Sequence, residues 1–271
     1  MRLSGIYRII FGVSVILISS GCSRKPQKPP QNIVVKTTPV QTIQPTVKSP
    51  SATKQIEKNP LINWKCRSEQ IERGDPKMKR VAITFDGDWD ASATYAIVES
   101  LKRHRVKGTF FITGHFCHQF PRECKALADA GMELGSHSYT HPMFSKISNS
   151  QIRRQLEETE GAMRQRFGRG SKPLFRFPSG ESDDRSRGVV AKEGFQAIYW
   201  SLDSLDAYGE EKSSNFVRQR IINRIKSGDI VLMHVSAHGT ANALNDILDH
   251  IQNRGLKVVP ISEMMREGVI K

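Results

Sequence analysis

His137 and His141, in the run His-Ser-Tyr-Thr-His, stand four residues apart, a spacing that puts both imidazoles on one side of a single helical turn. Two imidazoles placed in this way suit two positions around one zinc-like divalent ion. In a chain with eight histidines an HxxxH pair alone is a weak signal, so the site needs a third donor. Asp86 or Asp88 can supply a carboxylate and leave one position open for water or substrate. Arg176 and His234 each end an apolar run, where burial requires partners for the polar head. The remaining histidines, His104, His115, His118 and His250, lack a partner motif and are expected to be surface or structural residues. His238 is expected in a loop near the site.

Such side chains act together only if the fold brings their segments to one place. From Val81 onward, short β-rich apolar runs alternate with amphipathic stretches. The expected strands are 81–85, 108–113, 132–136, 174–177, 197–202, 230–234 and 257–261. The expected helices are 91–104, 121–130, 148–167, 184–193, 213–226 and 241–253, with Gly131, Gly194, Gly228 and Gly255 as stop signals. Repetition of strand, helix and strand predicts an α/β fold, a parallel sheet with helices outside, either open or closed into a barrel. Every reactive residue then falls at a C-terminal strand end. Asp86 and Asp88 follow the first strand, His137 and His141 the third, and Asp203 and Asp206 the fifth, while Arg176 lies at the end of the fourth and His234 at the end of the sixth. In α/β barrels that rim is where active sites assemble.

The 271 residues include 41 Lys or Arg against 27 Asp or Glu, a formal net charge of +14 that would ordinarily suggest a nucleic-acid partner. The excess is not spread evenly: residues 1–80 hold 15 basic and 4 acidic residues, and residues 81–271 hold 26 and 23. A nearly neutral folded part with no basic, aromatic-interleaved motif excludes nucleic acid as the expected partner. A hydrophobic fraction of 38% and a mean hydropathy of −0.44 exclude a multi-span membrane protein.

Residues 1–22 read as a secretory signal: Arg2 and Arg8 precede the apolar run Ile9–Ile18, followed by Ser19-Ser20-Gly21-Cys22. The ending resembles a bacterial lipobox, in which Cys22 would carry lipid and anchor the chain to a membrane, although Ser19 stands where such boxes usually have an apolar residue. Residues 23–77, rich in Pro, Thr, Gln and Lys in their first part, are expected to be a disordered tether ahead of a folded domain at 78–267. An oxidising compartment would allow Cys117 and Cys124 to form a disulfide.

From residue 79 to 267 the ordered motifs resemble those of the polysaccharide deacetylases with a NodB homology domain, the family 4 carbohydrate esterases. They are Ala82-Ile83-Thr84-Phe85-Asp86-Gly87-Asp88 with the following Gly108–Gly114 segment, then Glu133–Pro142, Arg176-Phe177-Pro178-Ser179-Gly180, Trp200–Asp206 and Leu232-Met233-His234. The resemblance implies a distorted (β/α)7 barrel and metal-dependent removal of acetyl groups from a glycan. It implies Asp86 as general base, His137 and His141 as metal ligands, and Arg176 as the residue that orients Asp86. The main-chain N–H of Ser179 would stabilise the oxyanion, His234 would be the general acid held by Asp206, and Leu232 would line the acetyl pocket.

Three departures from the family pattern stand out. Gly87 separates Asp86 from Asp88 where adjacent aspartates are usual; Asp88 is the expected third ligand, ahead of Asp86 and then Asp90. Ser179 replaces a common Tyr, and Ala207 a common Trp. An aromatic wall for the sugar must come from Trp89, Tyr139, Trp200 or Tyr208, although core packing is the ordinary role of such rings. The expected protein is an exported, membrane-anchored deacetylase using zinc, with cobalt or manganese as alternatives. Its substrate would be peptidoglycan or poly-N-acetylglucosamine. The alternatives are an O-acetyl esterase of the acetylxylan type and a catalytically weak glycan-binding module.

Overall fold

The computed structural model describes residues 65–267 and 269–270; the expected signal peptide, Cys22 and the tether up to residue 64 lie outside them. Among the described residues ten strands occur in chain order: β1 (Arg73–Gly74), β2 (Arg80–Gly87), β3 (Thr109–Ile112), β4 (Glu133–Ser136), β5 (Leu174–Phe175), β6 (Gln196–Ala197), β7 (Leu202–Asp203), β8 (Ile230–His234), β9 (Lys257–Val258) and β10 (Val269–Ile270). The helices are α1 (Thr94–Arg103), α2 (Gly114–Gln119), α3 (Pro121–Asp129), α4 (Asn149–Phe167), α5 (Asp184–Lys192), α6 (Ser214–Ile222), α7 (His238–Asn253) and α8 (Ile261–Glu267). Among the described residues no helix is long and apolar enough to cross a membrane.

The main sheet is parallel, in the order β6-β5-β4-β3-β2-β8-β7. Its central strand β2 is buried from Val81 to Gly87, and its continuous run of buried side chains is the pattern of a parallel strand covered on both faces. Although β6 and β7 stand at opposite ends of the strand order, only Ile198–Ser201 separates them in the chain. The sheet therefore curls until one segment bonds β5 with its first half and β8 with its second. Ile198 N–H donates to the Phe175 carbonyl at 2.8 Å, and Ser204 N–H to the Leu232 carbonyl at 3.1 Å. This curled half-barrel with outer helices is the distorted α/β barrel expected from the sequence.

Three local differences have physical causes. The expected strand 197–202 is split because its two halves face different neighbours. The run 257–261 stays extended only as β9, which pairs with Arg80 and Val81; Pro260 then leads into α8, which the alternation pattern concealed. Residues 65–77, assigned by composition to the tether, enter the fold: Ile71 bridges to Ile198 in parallel, and β1 pairs antiparallel with β10. The described fold thus begins before 78 and continues past 267.

Helix packing follows the apolar periodicity. On α7, Leu244, Ile247, Leu248 and Ile251 are fully buried, at the three- and four-residue spacing of one helix face. Between the sheet and its outer helices Phe85 and Phe110 stack with centroids 4.8 Å apart, in one cluster with Ile97, Leu101 and Leu244. Each fully buried ring of this kind contributes about 1.5–3 kcal/mol from burial. Helix α4 is closed at its start by a reciprocal Ser148–Gln151 capping box and ends at Gly168.

Candidate active site

Side chains at paired positions of neighbouring parallel strands share a face. Thr84 pairs with Leu232 and Asp86 with His234, so the C-terminal ends of β2 and β8 present a carboxylate and an imidazole side by side. Arg176, immediately after β5, is fully buried. Its Nη1 donates to Asp86 Oδ1 at 2.8 Å and to Thr84 Oγ1 at 2.9 Å, Nη2 donates to the Tyr199 carbonyl at 3.2 Å, and Nε to the Ile198 carbonyl at 3.3 Å. The guanidinium also lies 4.2 Å from the Phe111 ring centroid. Burial opposes ionisation of Asp86, but the charges of Arg176, His137 and His234 outweigh it and hold the carboxyl below its ordinary range.

His137 follows β4, and its Nδ1 donates to the Arg176 carbonyl at 2.9 Å. Because a carbonyl only accepts, this bond fixes the tautomer and leaves the Nε2 lone pair free. That nitrogen faces Asp86 Oδ2 at 3.5 Å. Burial is the main cause that brings His137 down to about 4, so the ring is neutral at neutral pH. His141 Nδ1 lies 3.8 Å from Asp88 Oδ2, and the two imidazoles are 4.8 Å apart, edge to face. Asp88 Oδ1 accepts from Thr113 Oγ1 at 3.1 Å; burial raises its carboxyl against the opposing pull of His141 and this hydrogen bond.

The position of Gly87 explains why the carboxylate stands at 88. A Cβ at 87 would meet Val235, Ile112 and Phe116 side chains at 3.0–3.4 Å, so that position points into apolar packing, while Asp88 reaches Thr113 and His141. Ser138 and His141 both adopt positive φ, 69° and 57°. This turn is held by Gln155 of α4, whose Oε1 accepts from the N–H groups of Tyr139 and Thr140 at 2.8 and 2.9 Å and whose Nε2 donates to Thr140 Oγ1 at 3.0 Å.

On the opposite side, Asp206 is buried beneath His234. Its Oδ1 bonds His234 Nδ1 at 2.7 Å, and its Oδ2 accepts from the His234 main-chain N–H at 2.9 Å and from Thr240 Oγ1 at 2.6 Å. Burial disfavours the imidazolium, but the hydrogen bond and charge of Asp206 prevail and raise His234 above its ordinary value. Asp206 is correspondingly lowered, its burial outweighed by His234.

A sequence profile described as polysaccharide deacetylase matches residues 73–198. An uncharacterized 30.6 kDa protein of Geobacillus stearothermophilus is 30% identical over 73% of this chain and 75% of its own length. Peptidoglycan-N-acetylmuramic acid deacetylase PdaA of Bacillus subtilis is 28% identical over 80% of this chain and 81% of its own. Among solved structures, a family 4 carbohydrate esterase pseudoenzyme from Bacillus anthracis superimposes with a TM-score of 0.70 at 32% identity, covering 74% of this chain and 70% of that one. The chain belongs to the polysaccharide deacetylase family. Membership places it among the hydrolases acting on acetylated glycans. Bacillus subtilis PdaA itself, a family 4 carbohydrate esterase, superimposes with a TM-score of 0.71 at 27% identity, over 74% of this chain and 86% of that one.

Within the deacetylase fold the rim brings together Asp86, Asp88, His137, His141, Arg176, Asp206, Leu232 and His234. Leu232 is buried two residues before His234 on the same face of β8. Ser179 sits apart from these pairs, exposed in the 3-10 turn Pro178–Gly180 with φ of 56°. First-turn N–H groups there have no intrahelical acceptor. Asp203 binds the Leu205 N–H at 2.7 Å and shapes the turn that carries Asp206. The donor set His137, His141 and Asp88 has the chemistry of a divalent-ion site, two imidazole nitrogens and a carboxylate. Among the described residues, no group of three or more His, Cys, Asp or Glu side chains stands close enough together to hold a metal ion as placed.

Gln155, Thr240 and His115 escaped the sequence reading. Gln155 and Thr240 lie on helices whose patterns signal only packing, and their targets are distant in sequence. His115, expected to be structural or at the surface, lies close enough to the site for its charge to act on Asp88. His238 starts α7 rather than lying in a loop. Cys117 and Cys124 are both buried with sulfurs 2.7 Å apart, as two thiols.

Proposed function

We propose that this chain is a divalent-metal-dependent N-deacetylase acting on an N-acetylated envelope glycan, peptidoglycan or poly-N-acetylglucosamine. The observation that carries this reading is the pairing of Asp86 with His234 across β2 and β8, each gripped by its own buried partner: against burial, Arg176 lowers the Asp86 carboxyl and Asp206 raises the His234 imidazole. Environments that push two titratable groups apart in this way assign a base and an acid to one site. The peptidoglycan deacetylases among the relatives support the substrate class. The signal and lipobox pattern of residues 1–22 supports an exported, membrane-anchored protein that reaches such a glycan.

Asp88, His137 and His141 would hold the ion, zinc first by donor type, with cobalt or manganese as alternatives. When bound, the ion supplies Lewis-acid activation of the acetyl carbonyl and of the attacking water. Asp86 removes a proton from that water at Oδ2, since Oδ1 is occupied by Arg176. The neutral His137 presents Nε2 toward the same carboxylate. His234 carries its transferable proton on Nε2, because Nδ1 is bound to Asp206, and delivers it to the departing amine. The N–H of Ser179 donates to the developing oxyanion, and Leu232 forms an apolar wall for the acetyl methyl group.

Acetate release tests this reading, using GlcNAc oligomers, peptidoglycan and acetylxylan with and without chelator. Wild type should release acetate from the N-acetylated substrates, and Asp86→Asn, Asp88→Asn and His137→Ala should lose most of it. Release that survives both chelator and His137→Ala would overturn the metal mechanism, and full activity of Asp88→Asn would remove Asp88 from the ligand set. Because a solved neighbour is a pseudoenzyme, a glycan-binding module without turnover is the second reading. Glycan binding without acetate from any substrate would establish it.

A further inference from the structure

Among the described residues six large hydrophobic side chains are exposed: Met78, Trp89, Tyr95, Met143, Tyr208 and Phe216. Half of them adjoin the rim: Trp89 follows Asp88 directly, Met143 stands two after His141, and Tyr208 two after Asp206. Trp89 is the case with a built support. Its indole is 60% exposed, yet it rests on the His115 ring with centroids 4.0 Å apart and planes at 50°. A tryptophan that packs with one side and leaves the other to solvent is out of place unless something covers it.

The support is tied to the histidine turn. His115 N–H donates to the Tyr139 carbonyl and Gly114 N–H to the Ser138 carbonyl, both at 3.0 Å, so the start of α2 is pinned to the loop between His137 and His141. Gly114 permits this approach, since a Cβ there would fall 2.1 Å from the Tyr139 ring. Trp89 is thus a fixed wall beside Asp88 rather than a free loop tip.

We propose that Trp89, backed by His115, is a stacking platform for a pyranose ring of the glycan, next to the sugar whose acetyl group enters the site. The occupant follows from chemistry. A pyranose has a flat C–H face that matches an indole and a hydroxyl edge that stays in water, as this half-covered position requires. The proposal rests on the deacetylase reading for its substrate and names a subsite of that same groove.

Intrinsic fluorescence and kinetics test it with a chitopentaose probe on the full chain, comparing wild type, Trp89→Ala and Trp89→Phe after circular dichroism shows each to be folded. Saturable change in tryptophan emission is expected in wild type and not in Trp89→Ala. KM for the pentasaccharide should rise about tenfold in Trp89→Ala, well beyond any fall in kcat, with Trp89→Phe recovering most of the loss. Equal KM in wild type and Trp89→Ala, or a loss confined to kcat, overturns the platform even if acetate release succeeds. If wild type binds chitopentaose through Trp89 without releasing acetate from it or from peptidoglycan, the platform stands and the deacetylase reading falls. If it neither binds nor hydrolyses the probe, the platform falls, and acetate release from peptidoglycan decides the deacetylase reading by itself.

Discussion

Asp206 grips His234 at two points, its Oδ1 2.7 Å from the ring Nδ1 and its Oδ2 2.9 Å from the main-chain N–H of the same residue. The clamp sets tautomer, ring orientation and charge together. With a folded value above the ordinary 6.5, His234 contributes stability that is fully present below pH 6.5 and lost as pH rises through the raised value. Asp206→Asn removes the largest of the influences that raise His234 against its burial, so the alkaline limb of kcat/KM should move to lower pH than in wild type. A fall in kcat of about 10²–10⁴-fold is expected from the lost orientation and proton donor. An unchanged alkaline limb in a pH–rate profile would exclude His234 as the acid.

Arg176 is fully buried and Asp86 nearly so, and the ion pair between them is satisfied by further hydrogen bonds to Thr84, Ile198 and Tyr199. Arg176→Met should destabilise the fold by about 3–5 kcal/mol, because it strands a buried carboxylate. Adding Asp86→Asn should recover part of that loss. The lowered Asp86 contributes stability above its ordinary 3.8 and loses it as pH falls through the folded value, so the penalty of Arg176→Met should shrink in acid. Urea unfolding at pH 7 and pH 3 measures both effects.

Gln155 makes no contact with substrate chemistry but accepts from two N–H groups of the turn that spaces the histidines. Gln155→Leu leaves both donors without their acceptor and should weaken zinc binding by about 10–100-fold in competition with a chromogenic chelator. Gln155→Glu, which keeps the acceptor, should stay closer to wild type. Equal zinc affinity in all three proteins would remove this positioning role.

Cys117 on α2 and Cys124 on α3 place their sulfurs 2.7 Å apart in a fully buried site. Burial raises the Cys124 thiol, so that thiol is a poor nucleophile on its own. With a disulfide oxidant such as oxidised glutathione, full-length protein should lose two titratable thiols, each giving up a proton and an electron as the bond forms. The closed loop should add about 2.5 kcal/mol of stability on the loop-entropy account. Thiol titration of wild type against Cys124→Ser checks it, and an unchanged thiol count after oxidation would refute it.

The strands that carry the reactive rim were legible because each is a short apolar run buried on both faces. The run 230–234 coincides with β8, and 81–85 lies within β2. Helix α4 was legible from the amphipathic pattern over 148–167. The split of 197–202 and the inclusion of 65–77 in the fold were hidden, because each depends on which distant strand supplies a hydrogen-bond partner. Trp89 and Tyr208, for which packing was the expected role, proved exposed.

What the sequence determined by itself is an inventory: aspartates, histidines and an arginine at the ends of apolar runs whose period places them on one rim. Only the tertiary structure decided what each of them does there. Arg176 meets Asp86 across 90 positions and His234 meets Asp206 across 28. A protonation state is set by the burial and charges around a group in space. The same Asp and His types therefore become a carboxylate held below its ordinary range, a neutral imidazole or an imidazole raised above its ordinary value, according to neighbours that only folding supplies.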